Sequence, residues 1–190
     1  MNENGRKDGS EQSFLFSQSI DTQQGLLTVQ ASNKGVTAIT FGEFLGASQP
    51  AHTKSTATAI APNQVTSSEI TKNAITEEAC TQLKAYFAKK LDTFDLPLDV
   101  NGTEFQMSVW KALKEIPYGQ TVSYLDIAKT IGNPKAVRAV GLANGKNPIA
   151  IVVPCHRVIG SNNTLTGYAG GLARKQFLLN LEGAQGRLWE

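Results

Sequence analysis

The pattern of apolar and polar positions in the first half of the chain predicts a small sheet followed by one helix. Three β-type runs occur, at residues 14–20, 26–30 and 36–41, and turn-forming stretches separate them. Short runs punctuated in this way are typical of an antiparallel meander. Apolar residues near helical spacing then predict a helix from Ile70 to Lys90, with Cys80 in its apolar pattern. We expect residues 13–100 to form an α/β scaffold domain that carries no chemistry.

The other segments of this half predict little regular structure. Residues 1–12 are polar and lack periodicity, which predicts a disordered tail. Residues 42–68 are rich in Ala, Ser, Thr and Pro, which predicts a long loop, and His52 stands alone within it. Phe94 to Val100 is interpreted as an edge strand or an extended linker, because Pro97 lacks the amide that a central strand needs.

The second half has the pattern of capped helices. Thr103 with Gln106, and Ser123 with Asp126, are spaced as N-terminal capping pairs. Together with Pro134 they predict helices over 104–115, 124–131 and 134–143, the third with Asn133 as its cap. The second and third of these fit a helix-turn-helix, because the turn between them contains a glycine. We expect a mainly α, winged-helix-like domain over residues 101–190.

A final helix is predicted over residues 171–181. Its leucines are expected to face inward and its two cations outward, namely Leu172, Leu178 and Leu181 against Arg174 and Lys175. Glu182 falls in the last turn, where the helix dipole disfavours a carboxylate. Such a placement indicates a specific partner for Glu182.

Charge is distributed unevenly between the two halves. Residues 1–100 carry 8 basic and 11 acidic side chains, whereas residues 101–190 carry 10 basic and 5 acidic ones. The basic half favours a polyanionic partner, and an ordinary solvated surface is the alternative. Two distant cysteines and no apolar signal segment favour a reducing, cytoplasmic location. No run of 18 apolar residues is present, so no membrane span is expected.

The candidate chemistry is concentrated in residues 152–160, where Cys155, His156 and Arg157 are consecutive. A thiol becomes a good nucleophile as the thiolate, which a neighbouring imidazole and a cation stabilise. Adjacent side chains on a strand point to opposite faces. We therefore expect an apolar strand over residues 149–153 to end at Pro154, where the chain bends. A buried core cysteine is the alternative that these residues leave open.

The predicted helix over residues 134–143 is unusual for a helix that reads bases. Its residues are small or apolar apart from the cations, and it lacks the Asn, Gln or multiple Arg side chains that address base edges. Small residues allow a close approach to a narrow groove, and one long side chain, Arg138, can fill the gap left by an extruded base. This favours sequence-tolerant DNA binding. An Ala-rich core helix with Arg138 in a salt bridge is the alternative.

The order of motifs resembles the O6-alkylguanine-DNA alkyltransferase family, the methylated-DNA-protein-cysteine methyltransferases. The similarity runs from about Gly102 to Gly183 and rests on Gly-Asn-Pro at 132–134, Arg-Ala-Val-Gly at 138–141, Pro-Cys-His-Arg-Val at 154–158 and Gly-Tyr-Ala-Gly-Gly-Leu at 167–172. The resemblance implies repair of DNA by irreversible transfer of an alkyl group from O6-alkylguanine to a cysteine. The base is flipped out of double-stranded DNA bound through the minor groove, and no cofactor takes part. It leaves open whether O4-alkylthymine is also a substrate.

The same motifs imply roles in the reaction. The resemblance makes Cys155 the alkyl acceptor, consumed after one turnover, His156 the base that acts through a water molecule, and Glu182 the carboxylate that orients the imidazole. It makes Tyr124 the donor to guanine N3. The amide of Ala169 is the donor near O6, at a position where many relatives have serine.

Further residues are implied in binding DNA and the base. Arg138 takes the place of the flipped nucleotide, and Ala136, Ala139 and Gly141 belong to the DNA-contacting helix. Asn147 holds the turn beside the reacting thiol. The pocket is lined by Val158, Tyr168 and Gly170.

Other function classes make different predictions. An alkyltransferase-like lesion sensor carries tryptophan in place of Cys155, and a helix-turn-helix regulator needs base-reading side chains in residues 136–143. A Cys-His hydrolase would turn over repeatedly without DNA. Some alkyltransferases carry an N-terminal zinc, but the two cysteines and two histidines here have no metal-ligand spacing. A monomer without a metal is expected.

Overall fold

A computed structural model describes residues 15–42 and 72–184 of the chain. The predicted tail at 1–12 and most of the predicted loop at 42–68, with His52, lie outside the described residues. In these two ranges, the structure contains no helix with the length and hydropathy of a membrane span.

The predicted meander is confirmed as a three-stranded antiparallel sheet. It consists of β1 (Phe16–Thr22), β2 (Gly25–Ala31) and β3 (Val36–Phe41), paired in the order β1-β2-β3. Helix α1 (Ala74–Phe87) packs on all three strands. It begins after Asn73, whose side chain accepts a bond from the Thr76 amide and so satisfies one of the free amides of the first turn.

Two other segments lie along the outer edge of the sheet. The amide of Val36 donates to the Pro97 carbonyl, and the Asp99 amide donates to the Val36 carbonyl, so the interpreted edge segment 94–100 forms one parallel bridge. In the same way Ile39 bridges Ile149 from the second half. The apolar core runs continuously through both halves of the described chain because of these contacts.

The second half is helical, as the caps predict. Helix α2 (Glu104–Lys114) starts at the Thr103–Gln106 capping box, and α3 (Tyr124–Thr130) starts at the Ser123–Asp126 capping box. Between them lies the short strand β4 (Val122–Ser123), which pairs in parallel with β5 (Val158–Ile159). Helices α4 (Val137–Gly145) and α5 (Leu172–Leu181) complete the domain.

The predicted start of the third helix at Pro134 with an Asn133 cap is wrong. The Ala136 amide donates to the Asn133 carbonyl across three residues, so residues 133–136 close a turn. Helix α4 starts only after this turn, with Ala136 at the N-cap and no side-chain cap. The Nε1 of Trp110 on α2 donates to the Ala143 carbonyl at 2.9 Å, which holds α4 in place.

The predicted apolar strand over residues 149–153 is also wrong. After the single bridge at Ile149 the chain turns, and Ile151 adopts the left-handed region with φ 72°. A β-branched residue is strained there, so the surrounding contacts must hold it. The side chain of Asn147 does so, because its Nδ2 donates to the carbonyls of Ile149 and Val153 on either side of the turn.

Candidate active site

Cys155 lies at the start of a single 3-10 turn, Cys155–Arg157, directly after Pro154. The predicted bend at Pro154 is therefore present. Successive residues of a 3-10 helix are rotated by about 120°, so neighbouring side chains do not share a direction. Cys155 and His156 thus point to different surroundings, and both are buried, with 6% and 0% of their surface exposed.

His156 is bonded to Glu182, the residue at the C-cap of α5. Its Nε2 lies 2.8 Å from Oε1 of the carboxylate, and neither side chain is exposed. A carboxylate in this position fixes the tautomer with the proton on Nε2. Nδ1 is consequently an acceptor, and this buried atom has no hydrogen-bond partner in the described part of the protein. The imidazole therefore keeps a free basic nitrogen.

Four groups donate to the Glu182 carboxylate. Oε1 accepts from His156, from the Tyr86 hydroxyl at 2.7 Å and from Arg157 Nη2 at 2.9 Å. Oε2 accepts from Arg157 Nε at 2.8 Å and from the Gly119 amide at 3.3 Å. Burial by itself raises the pKa of this carboxyl, but the hydrogen bonds from His156 and Arg157 and the charge of Arg157 outweigh it and lower the pKa to about 2. Glu182 therefore stays ionised. Its place in the last turn of a helix indicated a specific partner, and His156 and Arg157 fill that role.

His156 is held in its neutral form. Burial lowers the pKa of the imidazole, and the cations Arg157 and Lys175 lower it further, whereas Glu182 opposes them. A neutral imidazole with a free Nδ1 can accept a proton from a nearby donor. This is the state that a general base requires.

Burial and two neighbouring side chains act on the pKa of the Cys155 thiol. Burial raises its pKa, while the Asn147 side chain and the charge of Lys175 lower it. The sequence singled out Arg157 as the cation beside the thiol, and the structure corrects this. Arg157 neutralises Glu182 and donates to the Ile116 carbonyl, so Lys175 is the cation that acts on the thiol.

Lys175 is fully buried, which contradicts its predicted outward position. Its Nζ donates to the carbonyl of Val158 at 2.5 Å and to that of Thr166 at 2.7 Å, and these bonds keep the ammonium inside. Burial lowers its pKa to about 8, although the Cys155 charge raises it. Leu172, in contrast, is 48% exposed instead of inward. The buried positions of this region are Lys175, Leu178, Leu179 and Glu182.

An open cleft of about 580 Å³ lies between α4 and the loop over residues 166–169. Its wall contains Tyr124, Arg138, Gly141, Tyr168 and Ala169. Burial raises the pKa of both tyrosines, and Cys155 raises the pKa of each further. Among residues 15–42 and 72–184, the Tyr124 hydroxyl donates only two long bonds, of 3.3 and 3.4 Å, to the carbonyls of Gly167 and Thr166. It is available to donate to a molecule in the cleft.

The remaining predicted site residues lie around this cleft or outside it. Ala139 is exposed on α4, and Ala136 is half-buried at its N-cap. Val158 is fully buried, and its carbonyl already accepts a bond from Lys175, although a second lone pair is available. Gly170 packs against the Tyr168 ring, where an added Cβ would lie 2.7 Å from the nearest ring atom.

Three residues of the site were not found from the sequence. They are Lys175, Tyr86 on α1, and Asn144, whose Nδ2 donates to the Cys155 carbonyl at 3.3 Å. A signal existed for the lysine alone. Positions 175, 178, 179 and 182 are spaced as one helix stripe, so the burial of Leu178 places Lys175 inside. Among the described residues no group of three or more Cys, His, Asp or Glu side chains could hold a metal ion.

Comparisons with known proteins match both halves of the chain. Residues 15–100 match the model for the 6-O-methylguanine DNA methyltransferase ribonuclease-like domain, and residues 104–184 match that for its DNA binding domain. A methylated-DNA-protein-cysteine methyltransferase of Methanosarcina acetivorans is 69% identical over 107 residues, which is 56% of this chain and 69% of that protein. A protein of the same name from Mycolicibacterium paratuberculosis is 66% identical over 55% of this chain and 63% of its own length.

Solved structures extend the similarity to nearly the whole chain. The O6-methylguanine methyltransferase of Mycobacterium tuberculosis has a TM-score of 0.72 and 43% identity, covering 91% of this chain and 95% of its own. The OGT of the same organism in complex with DNA has a TM-score of 0.71 and 45% identity, covering 89% and 93%. The resemblance and the fold class inferred from the sequence are thereby confirmed. This chain belongs to the 6-O-methylguanine DNA methyltransferase family.

Proposed function

We propose that this protein repairs double-stranded DNA by transferring the alkyl group of O6-alkylguanine irreversibly to Cys155. The observation that carries the proposal is the buried Cys155, which directly precedes the buried His156–Glu182 ion pair in one 3-10 turn. Membership of the methyltransferase family supports the substrate class. The chemistry of the site supports the role of each residue.

DNA binding is assigned to the surface that carries α4. Arg138 is exposed at the cleft, and its neighbours Ala139 and Gly141 are small. A helix with small side chains can lie close to the floor of the minor groove, and the long Arg138 side chain can occupy the space of an extruded nucleotide. The flipped base then enters the cleft beside Tyr124 and Ala169. A similar OGT is known in complex with DNA, which supports this partner.

Activation of the thiol uses the buried network. A water molecule that enters with the substrate can relay the Cys155 proton to the free Nδ1 of His156. The resulting imidazolium is stabilised by Glu182, which is already ionised. Lys175 stabilises the thiolate, because its ammonium acts on Cys155 from inside the protein. The thiol is therefore neutral at rest and ionised when the substrate is bound.

The transfer step is a displacement at the alkyl carbon. The thiolate sulfur forms a bond to that carbon as the bond from the carbon to guanine O6 breaks, and the electron pair remains on the base. Hydrogen bonds from the Tyr124 hydroxyl to N3 and from the Ala169 amide to O6 stabilise the developing charge. The guanine anion then takes up one proton, which balances the proton that Cys155 gave up, and the imidazolium of His156 returns to its neutral form. Asn147 holds the turn that presents Cys155.

The products are guanine in DNA and an S-alkylcysteine. A thioether is not hydrolysed under ordinary conditions, so each molecule acts once and no cofactor is consumed. We assign residues 13–100 as a scaffold domain and residues 101–190 as the domain for DNA binding and transfer. The protein is expected to act as a monomer in the cytoplasm.

The stoichiometry of repair tests this proposal. A duplex oligonucleotide with one O6-methylguanine is incubated in excess over the protein, and restored guanine is measured by digestion and chromatography. We expect a plateau at one lesion repaired for each protein molecule. Repeated turnover would indicate a hydrolase, and lesion-dependent binding without repair would indicate a sensor. Either result would overturn the proposal.

A further inference from the structure

Arg174, the residue before the buried lysine, makes contacts in two parts of the molecule. Its Nη1 donates to the Gly170 carbonyl at 2.9 Å. Gly170 directly follows residues 166–169, which form one wall of the cleft, and residues 166–170 are called the cleft loop below. Its Nη2 donates to the Gln24 carbonyl at 3.0 Å, in the turn between β1 and β2. The guanidinium also lies over the Phe41 ring at the end of β3, 4.0 Å from the ring centroid. One side chain therefore joins the first half's sheet to the cleft loop.

The loop is packed tightly around this contact. A Cβ added at Gly170 would lie 2.7 Å from the Tyr168 ring and 3.3 Å from Arg174 Cδ. Gly170 therefore leaves no room for a side chain beside Tyr168 and Arg174. The contacts therefore run from the sheet of the first half, through Arg174, to Gly170 and Tyr168.

The fork of arginine suits this arrangement better than other cations. A planar guanidinium can donate to two carbonyls and stack on a ring at the same time, whereas an ammonium does not combine these contacts. Arg174 is not among the residues that line the cleft. Its contacts join the loop to the turn between β1 and β2.

We infer that Arg174 is a positioning residue, which holds the cleft loop over the flipped base by fastening it to the sheet of the N-terminal half. This inference rests on the proposed function and gives that half a role in the transfer step. A loop displaced by about 1 Å can slow a reaction by roughly 100-fold without changing the residues that react. Loss of Arg174 is therefore expected to slow transfer while leaving the binding of undamaged DNA unchanged.

The test uses the full chain with Arg174→Met, Arg174→Lys and Phe41→Leu. Lys84→Met is the control, because it removes one exposed charge from α1, far in sequence from the loop. Single-turnover methyl transfer is measured at saturating protein with a duplex containing O6-methylguanine. We expect the rate to fall roughly 10- to 100-fold in Arg174→Met, less in Arg174→Lys and Phe41→Leu, and not at all in the control. Affinity for the undamaged duplex should stay within about twofold.

A second readout does not depend on methyl transfer. Hydrogen exchange of the peptide over residues 167–172 should be faster in Arg174→Met and in Phe41→Leu than in the wild type. If the wild type transfers no methyl group, the proposed function fails, whereas faster exchange still supports the fastening of the loop. The inference is overturned if Arg174→Met transfers the methyl group as fast as the wild type and its 167–172 peptide exchanges hydrogen as slowly as that of the wild type. If Arg174→Met does not fold, the same two measurements on Arg174→Lys and Phe41→Leu decide it.

Discussion

The strongest quantitative prediction concerns Glu182→Gln, which replaces the buried anion with a neutral amide of the same shape. The folded protein lowers the pKa of this carboxyl from 4.5 to about 2. One factor of ten in proton affinity corresponds to about 1.4 kcal/mol, so ionised Glu182 contributes roughly 3 kcal/mol to the free energy of unfolding at neutral pH. The side chain has no exposed surface, so solvent does not screen this contribution.

The amide also leaves its neighbours without partners. Gln offers one acceptor oxygen where the carboxylate offers two, and its NH2 group would face donors from Arg157 or His156. Removing one member of a buried ion pair typically costs about 3–5 kcal/mol. We expect the free energy of unfolding of Glu182→Gln to fall by this amount, and its melting temperature to lie roughly 10 °C below that of the wild type.

Urea unfolding at pH 7, followed by circular dichroism, measures the change. Glu115→Gln is the matched control, because Glu115 stands at the C-cap of α2 as Glu182 does at the C-cap of α5, but is exposed. The control should lie within about 0.5 kcal/mol of the wild type. The reasoning is refuted if Glu182→Gln also lies within about 1 kcal/mol of the wild type.

The wild type should further lose stability in acid. A carboxyl whose pKa is lowered on folding stabilises the protein above its unfolded pKa of 4.5, and this contribution disappears as pH falls towards 2. Equilibrium unfolding at several pH values should therefore show a loss of roughly 3 kcal/mol from Glu182 in this window. The same loss should be absent from Glu182→Gln, and its persistence there would assign it to other carboxyls.

Three further predictions concern the transfer step. Tyr124→Phe should slow single-turnover transfer roughly 100-fold, because a donor to the leaving base is lost, and should leave DNA affinity in gel shifts unchanged. Arg138→Ala should slow repair of O6-methylguanine in duplex DNA but not reaction with the free base, since only the duplex requires flipping. Lys175 has a pKa of about 8, so the rate should decline as pH rises through 8, and this decline should be absent in the slower Lys175→Met.

Local signals explain the parts of the fold that the sequence predicted well. The capping pairs at Thr103 and Ser123 act within four residues, and α2 and α3 begin at those caps. The start of α4 was missed because the turn that closes at Ala136 uses backbone atoms, which leave no side-chain signal. The strand expected over 149–153 was replaced by a turn, because the Asn147 side chain binds both of its ends.

The site depends on contacts that span long stretches of the chain. Tyr86 reaches Glu182 across 96 positions, and Arg174 reaches Gln24 across 150. The sequence pattern gave no sign of either contact. Lys175 is a partial exception, because its helix spacing with Leu178 indicates burial, but the Val158 and Thr166 carbonyls that bind its ammonium leave no signal in the sequence. The motif residues themselves, Cys155 and His156, were recognisable because they are adjacent.

The intact mass of the protein after incubation with a duplex carrying one O6-methylguanine detects alkyl transfer to the protein itself. We expect a gain of one methyl group, about 14 Da, in every active molecule, because the thioether formed on Cys155 is stable. Cys155→Ser should show no gain, and peptide mapping of the wild type should place the methyl group on the peptide that contains Cys155. An unchanged mass, or a methyl group on another residue, would contradict the account.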